Sequence, residues 1–215
     1  MKLYFVRHGE TSYNRQERIQ GTTDIPLNEN GLAQAAEAAD YFKEAGIAFK
    51  KVYTSPLIRA HKTASVVSGF DMDQVIVDER LIELHFGKIE GMVYYDAGYG
   101  FMAMFKKPED YVIPEEGESF EALFKRAASF MEDMAELDRE LEEDDCVLIA
   151  THGAALRALL AVIQNTPVKD FWIKGITNCS IVPVHLEDGN WQVGEIINPV
   201  KKTAFMSYGR GSVSS

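Results

Sequence analysis

Short, continuous apolar runs alternate along this chain with longer segments whose apolar residues recur every three or four positions. The first run, Leu3–Val6 in "KLYFVRHG", has the pattern of a strand covered on both faces. It leads to "PLNENGLAQAAEAADYFKEAGI", where alanines and aromatics fall at helical spacing and Gly46 stands where a helix would stop. "KVYTSPLIRAHKTASVVSG" repeats the scheme, with a strand over Val52–Thr54, Pro56 near the first helical turn and a helix to about Ser68. Val75–Val77 is another short strand, and "CVLIATHGAALRALLAVIQN" is a strand over Cys146–Ala150 followed by an apolar helix to about Gln164. "CSIVPVHLEDGNWQVGEII" reads as a closing hairpin with Asp188-Gly189 at its turn.

Strands alternating with helices predict an α/β architecture with a mostly parallel central sheet. Between Phe86 and Asp145 the alternation stops. "GMVYYDAGYGFMAMFKKPEDYVIPEEGES" carries no strong strand signal, whereas "SFEALFKRAASFMEDMAEL" is an amphipathic helix with Ser119 as its N-cap. This stretch, about 86–145, is expected to be a helical insertion over one edge of the sheet. Residues 1–200 then form one domain, and 201–215 read by composition as a C-terminal tail.

Composition narrows the function classes. A net charge of −11 repels polyanions, so neither nucleic acid nor an anionic membrane is expected as a partner. The opening apolar run is far too short for a signal peptide, and no 18-residue apolar span occurs. Two cysteines without a CxxC pair suggest neither a disulfide framework nor a cysteine zinc site, and a cytoplasmic location is the simplest expectation. An acidic chain can still hold an anion locally, and arginines gathered in a cleft would do so.

Such a gathering is visible. Arg7-His8-Gly9 follows the strand "LYFV", and Thr151-His152-Gly153 follows the strand "VLIA". Each places a histidine at the carboxyl end of a strand, with glycine next so that backbone can approach a ligand. That edge of an open α/β sheet is where ligands bind, and if the two strands are neighbours the histidines share one pocket. Arg59 lies about one turn into the helix after Val52–Thr54, and Thr11 and Asn14 lie three and six residues past His8. Two arginines, two histidines and small polar donors suit a tetrahedral dianion, because the planar guanidinium fork matches phosphate oxygens in pairs.

The motifs "RHGET.YN", "G..D.PLN..G..QA", "SPL.RA..TA", "ER..E..FG..EG" and "THG", in this order from Lys2 to about Leu160, resemble the histidine phosphatase superfamily, also called phosphoglycerate mutase-like. The resemblance implies a three-layer α/β/α fold and a phosphohistidine intermediate, with no metal. Carried over by position, it implies that His8 is the nucleophile. Arg7, Arg59 and His152 would hold the phosphoryl group, with Glu83 of "ERLIELHFG" as proton donor. Asn14, Gln20 and Gly21 match contacts to the phosphoryl or leaving group, beside Thr11 and Gly153. Of the other histidines, His61 reads as solvated, His85 as a possible border of the pocket and His185 as structural, while Glu79 and Arg80 suggest a structural pair.

The same resemblance leaves more than one chemistry open. A mutase needs extra cations for a substrate carboxylate and a second phosphate, and it would use 2,3-bisphosphoglycerate. Here no arginine occurs between Arg80 and Arg126, and the insertion instead carries Met92, Tyr94, Tyr95, Tyr99, Phe101, Met102, Met104 and Phe105. The expectation is therefore a metal-independent, cofactor-free phosphatase acting on a small phosphorylated metabolite, with mutase activity and an inactive phospho-ligand binder as alternatives. A metal hydrolase using His8, His152 and Glu83 is disfavoured by the two arginines beside them. The closing hairpin is a candidate edge for a homodimer.

Overall fold

A computed structural model describes residues 1–172, 175–187 and 189–200. The strands are β1 (Lys2–Arg7), β2 (Phe49–Thr54), β3 (Ile76–Val77), β4 (Cys146–Thr151), β5 (Ile181–Glu187) and β6 (Asn190–Val193). They form one sheet in the order β3-β2-β4-β1-β5-β6, in which β1 to β4 run parallel to one another, β5 pairs antiparallel with β1, and β6 pairs antiparallel with β5. The helices are α1 (Ser12–Arg15), α2 (Glu29–Glu44), α3 (Ile58–Ser68), α4 (Gly98–Lys106), α5 (Phe120–Leu137) and α6 (Gly153–Gln164).

Alternation along the two central strands builds three layers. Tyr4, Val6, Leu148 and Ala150 face a core completed by Ala35, Ala38 and Phe42 of α2 and Ala64 and Val67 of α3. Leu3, Phe5, Val147 and Ile149 face the opposite core, filled by Leu123, Phe130 and Met134 of α5 and Leu156 and Leu159 of α6. Because both faces are covered, β4 is buried at every position, as its unbroken apolar run requires. Gly46 follows the Ala45 cap of α2 in the left-handed conformation (φ +69°), the stop expected of it.

The 86–145 stretch divides in two. Its first part, short 3-10 turns and α4, roofs the carboxyl edge of the sheet, with Phe101 and Met104 buried. Its second part, α5, lies in the helical layer beside α6 and belongs to the main core. The reading of the whole stretch as an insertion is corrected on this point: α5 presents a full apolar stripe, and the sheet face offered the nearest surface to bury it. The expected tail at 201–215 and Asp188 of the expected turn lie outside the described residues.

One close approach fixes the loop after β1. A Cβ on Gly31, in the first turn of α2, would lie 2.7 Å from Glu10 N and nearer still to the Glu10 carbonyl oxygen. Alanine is favoured over glycine inside a helix by about 1 kcal/mol, yet here the added carbon meets backbone. Gly31→Ala is expected to destabilise the protein by about 1–3 kcal/mol, read as a lower urea midpoint. A raised midpoint would mean that helix propensity outweighs the contact.

Candidate active site

Parallel pairing of β1 with β4 sets Arg7 opposite Thr151, so the two following histidines emerge side by side at the carboxyl edge. The His8 and His152 rings lie 5.1 Å apart between centroids. His8 Nδ1 is 2.7 Å from the Gly9 carbonyl oxygen. A carbonyl only accepts, so Nδ1 carries the proton and Nε2 keeps the lone pair. Behind His8, Asn178 donates to its carbonyl (2.9 Å) and Thr151 accepts from its N–H (2.9 Å). His152 is fully buried, with Nε2 2.7 Å from the Ser55 hydroxyl at the end of β2.

Arg59 returns to this edge from α3. Its guanidinium is fully buried and donates from Nη2 to the Gly21 carbonyl (2.6 Å) and from Nη1 to Thr23 (2.8 Å). That loop is itself held by Glu90, whose oxygens accept from the backbone and hydroxyls of both Thr22 and Thr23 and from Phe86 N. Glu90 thereby ties the loop that aims Arg59 to the start of the insertion. Gly21 has φ +52°, and a Cβ there would strike the Glu90 carboxylate.

Glu83 caps α6. Its Oε1 accepts from Ala155 N (2.9 Å) and Leu84 N (2.9 Å), and Ala154 N lies 3.1 Å from both oxygens. These groups surround a cavity of about 290 Å³, bordered by Arg7, His8, Asn14, Gln20, Gly21, Arg59, Glu83 and Gly153, with Tyr94, Phe101, Met104, Phe105 and Trp172 on the roof side.

The electrostatics are those of an anion site. Burial first, then the guanidiniums of Arg59 and Arg7, hold His8 well below the usual histidine range. His152 is lowered in the same way by burial and then Arg59, so both rings are neutral near pH 7. Burial also brings Arg59 down to about 10, which leaves it charged. Arg7 donates from Nη1 to the Ile176 carbonyl (2.9 Å), while its Nε, Arg59 Nε and His152 Nδ1 are buried without a hydrogen-bond partner among the described residues. A buried unmet donor costs about 1–3 kcal/mol, so the two guanidinium nitrogens beside His8 mark a place for ligand oxygens.

Eight of the ten candidate site residues thus border one cavity, and His152 is buried with its ring 5.1 Å from that of His8. Thr11 is different. It caps α1 from a fully buried position, its hydroxyl donating to Gln20 Oε1 (2.7 Å) and accepting from Asn14 N (3.2 Å). Since Thr11 N also occupies Asn14 Oδ1 (3.1 Å), Thr11 orients both amides so that their NH2 groups are left to donate. Its expected place among the ligand contacts is corrected to one of aiming those contacts.

Three other expectations are corrected. His61 is half-buried, with Nε2 2.8 Å from the Met72 carbonyl, and is not a solvated ring. Arg80 pairs with Asp78 and Asp133, both at 2.6 Å, rather than with Glu79, because the 3-10 turn directs adjacent side chains apart. His85 is 43% exposed and sits 3.7 Å from Glu90, off the cavity wall. His185 is exposed on β5, far from the cavity, 3.8 Å from Glu187. Arg157, Trp172 and Asn178 escaped the sequence reading, and Ser55 and Glu90, which stand in the quoted motifs, were given no role there. For Arg157 a signal was present, since it stands four residues past Gly153 on the same helical face.

Comparison with known proteins shows the family. Residues 3–199 match the histidine phosphatase superfamily (branch 1). A metal-independent phosphoserine phosphatase of Arabidopsis thaliana is 33% identical over 198 residues, 88% of this chain and 78% of that protein. Phosphoglycerate mutase-like protein 4 of the same plant is 31% identical over 219 residues, 98% of this chain and 91% of its own. A phosphoserine phosphatase of Entamoeba histolytica, solved as a mutant with phosphoserine, superposes with a TM-score of 0.79 at 25% identity, covering 92% of this chain and 97% of that one. With the motifs, the sheet order and this match in agreement, the chain belongs to the histidine phosphatase superfamily.

Proposed function

We propose that this protein is a metal-independent phosphomonoester hydrolase working through a phosphohistidine on His8. The observation that carries the reading is the pair of guanidinium nitrogens, Arg7 Nε and Arg59 Nε, buried without a partner among the described residues beside a histidine whose Nε2 holds its lone pair. In the first step Nε2 attacks phosphorus, and the ester P–O bond breaks as Glu83 gives a proton to the departing oxygen. In the second, Glu83 takes a proton from water as the water attacks phosphorus, the P–N bond breaks, and inorganic phosphate leaves. Arg7, Arg59 and His152 bind the equatorial oxygens, where charge is spread in the transition state. A small phosphorylated metabolite matches the cavity volume of about 290 Å³.

Hydrolysis is favoured over mutase activity by the roof. Among the described residues, the insertion contributes Tyr94, Phe101, Met104 and Phe105 to the cavity and no cation, while Lys88 is ion-paired to Glu115 away from it. A mutase must hold a second phosphate as well as the first, and an apolar wall does not repay the desolvation of that charge.

The deciding measurement follows free phosphate and 2-phosphoglycerate together from 3-phosphoglycerate, with and without 2,3-bisphosphoglycerate, in buffer containing a strong chelator. Phosphate release undiminished by the chelator, without 2-phosphoglycerate, is the expected result. Rapid 2-phosphoglycerate formation would replace this reading with the mutase one, and loss of activity in chelator would remove metal independence.

A further inference from the structure

We propose that Ser55, directly after β2, is a positioning residue that fixes the tautomer of His152. Its hydroxyl donates to Nε2 and so keeps the imidazole proton on Nδ1, where the ring offers an N–H to an oxyanion seated against His8. The proposal rests on the phosphatase reading for its ligand, and it adds which group decides how His152 can act.

Ser55 is held on several sides. Its N–H donates to the Ala150 carbonyl of β4 (3.1 Å), its Oγ accepts from Leu57 N (3.3 Å), and the same Oγ lies 2.7 Å from His152 Nε2. Ser55 and His152 are both fully buried. A hydroxyl has one proton to give, and among the described residues the acceptor within its reach is His152 Nε2. The other ring nitrogen, Nδ1, is buried with no partner among the described residues.

Three protonation patterns are open to this pair. With the proton on Nε2, the ring would donate to Ser55, the hydroxyl proton would lose its acceptor and Nδ1 would present a bare lone pair, so two buried groups would go unmet. A doubly protonated ring is opposed by burial and then by the Arg59 charge. With Ser55 donating to Nε2, Oγ both accepts and donates, and one group, the Nδ1 N–H, is left to be met. That pattern leaves the fewest buried polar groups unmet, and the one it leaves is a donor. Phosphoryl oxygens satisfy a donor, whereas a lone pair at the same atom would repel them. The His8 and His152 rings, 5.1 Å apart, then carry their proton on the same atom by opposite means. A carbonyl accepts from Nδ1 of His8 and frees its Nε2 to attack, while a hydroxyl donates to Nε2 of His152 and frees its Nδ1 N–H to bind.

Nitrogen-15 NMR of the histidine rings near neutral pH, in buffer free of phosphate, reads the tautomer directly. The His152 signals are those missing from His152→Asn, and they are expected to show a protonated Nδ1 and a bare Nε2. A proton on Nε2, or on both nitrogens, would overturn the proposal, and this reading needs no Ser55 variant to fold. The functional half is a double-mutant cycle on orthovanadate binding, measured by calorimetry. Ser55→Ala is expected to weaken binding about 3- to 10-fold where His152 is present, the range for one hydrogen bond. Asparagine has no atom at the Nε2 position, so in the His152→Asn protein the same change is expected to cost about twofold or less. Equal losses in both backgrounds would make Ser55 a packing residue and overturn the proposal, as would no loss beside His152. Phosphate release by the unmodified enzyme is scored separately. An Nδ1-protonated His152 in a protein that releases no phosphate would overturn the phosphatase reading and leave the tautomer assignment standing.

Discussion

His8→Ala is expected to abolish phosphate release, with kcat falling by roughly 10⁴-fold or more, because losing the nucleophile removes the first step and not merely a contact. The remaining cations cannot compensate. In the proposed mechanism Arg7 and Arg59 stabilise charge on the phosphoryl oxygens, yet neither offers a lone pair to phosphorus at neutral pH. The expectation rests on the tautomer: the Gly9 carbonyl, 2.7 Å from Nδ1, leaves Nε2 unprotonated, and two guanidiniums oppose its protonation. A rapid-quench experiment with labelled substrate checks it, since a P–N phosphoenzyme survives alkali, is lost in acid and must be absent from the variant. Activity within tenfold of the unmodified enzyme would show that water attacks directly and that His8 only binds.

Acid is expected to unfold this protein early. His8 and His152 are both fully buried and neutral in the folded state, with their values depressed well below that of a solvated histidine. In the unfolded chain both bind a proton below about 6.5, the ordinary histidine value. Between that value and their depressed folded values the unfolded state holds more protons, so stability rises with pH across the window and is fully present above it. Each histidine contributes a slope of up to about 1.4 kcal/mol per pH unit, hence about 3 kcal/mol per unit for the pair below pH 6.5. Urea unfolding between pH 7.5 and about 5 measures this. Replacing one of the two histidines with a neutral side chain should halve the steepness over the acidic part, and a flat profile would mean that the rings are protonated in the folded protein. Phosphate or vanadate in the cavity should raise stability by mass action without changing which form of the unfolded chain takes up protons.

Much of this protein is written locally. Strand β4 could be read from the apolar run Cys146–Ala150, and α2 from alanines at helical spacing closed by Gly46, because apolar pattern and backbone preference act over a few residues. The strand-end histidines were legible for the same reason: a motif confined to a strand and the turn after it carries its own geometry. That Arg7, His8, Arg59 and Glu83 meet in one cavity follows once the sheet is parallel and β1 neighbours β4.

What escaped the sequence depended on neighbours far apart in the chain. Period and polarity showed that α5 has an apolar face but not which surface would cover it, and it joined the layer beside α6. His61 is tied to Met72 and Arg80 to Asp133 by contacts that no local pattern encodes. The same holds for Glu90, whose carboxylate gathers donors from Thr22, Thr23 and Phe86 into the brace behind Arg59. Arg157 was an ordinary helical arginine in the sequence, and only the packing of Trp172 against it and the nearness of Arg7 and Glu83 place it on the cavity wall. The sequence by itself determined the layer order and which histidines and arginines stand at the carboxyl edge, because strand-end chemistry and short-range periodicity are local properties. The tertiary structure decided which surfaces are buried, how the guanidiniums are aimed and what the leaving group meets, because those depend on contacts between segments brought together only by the sheet.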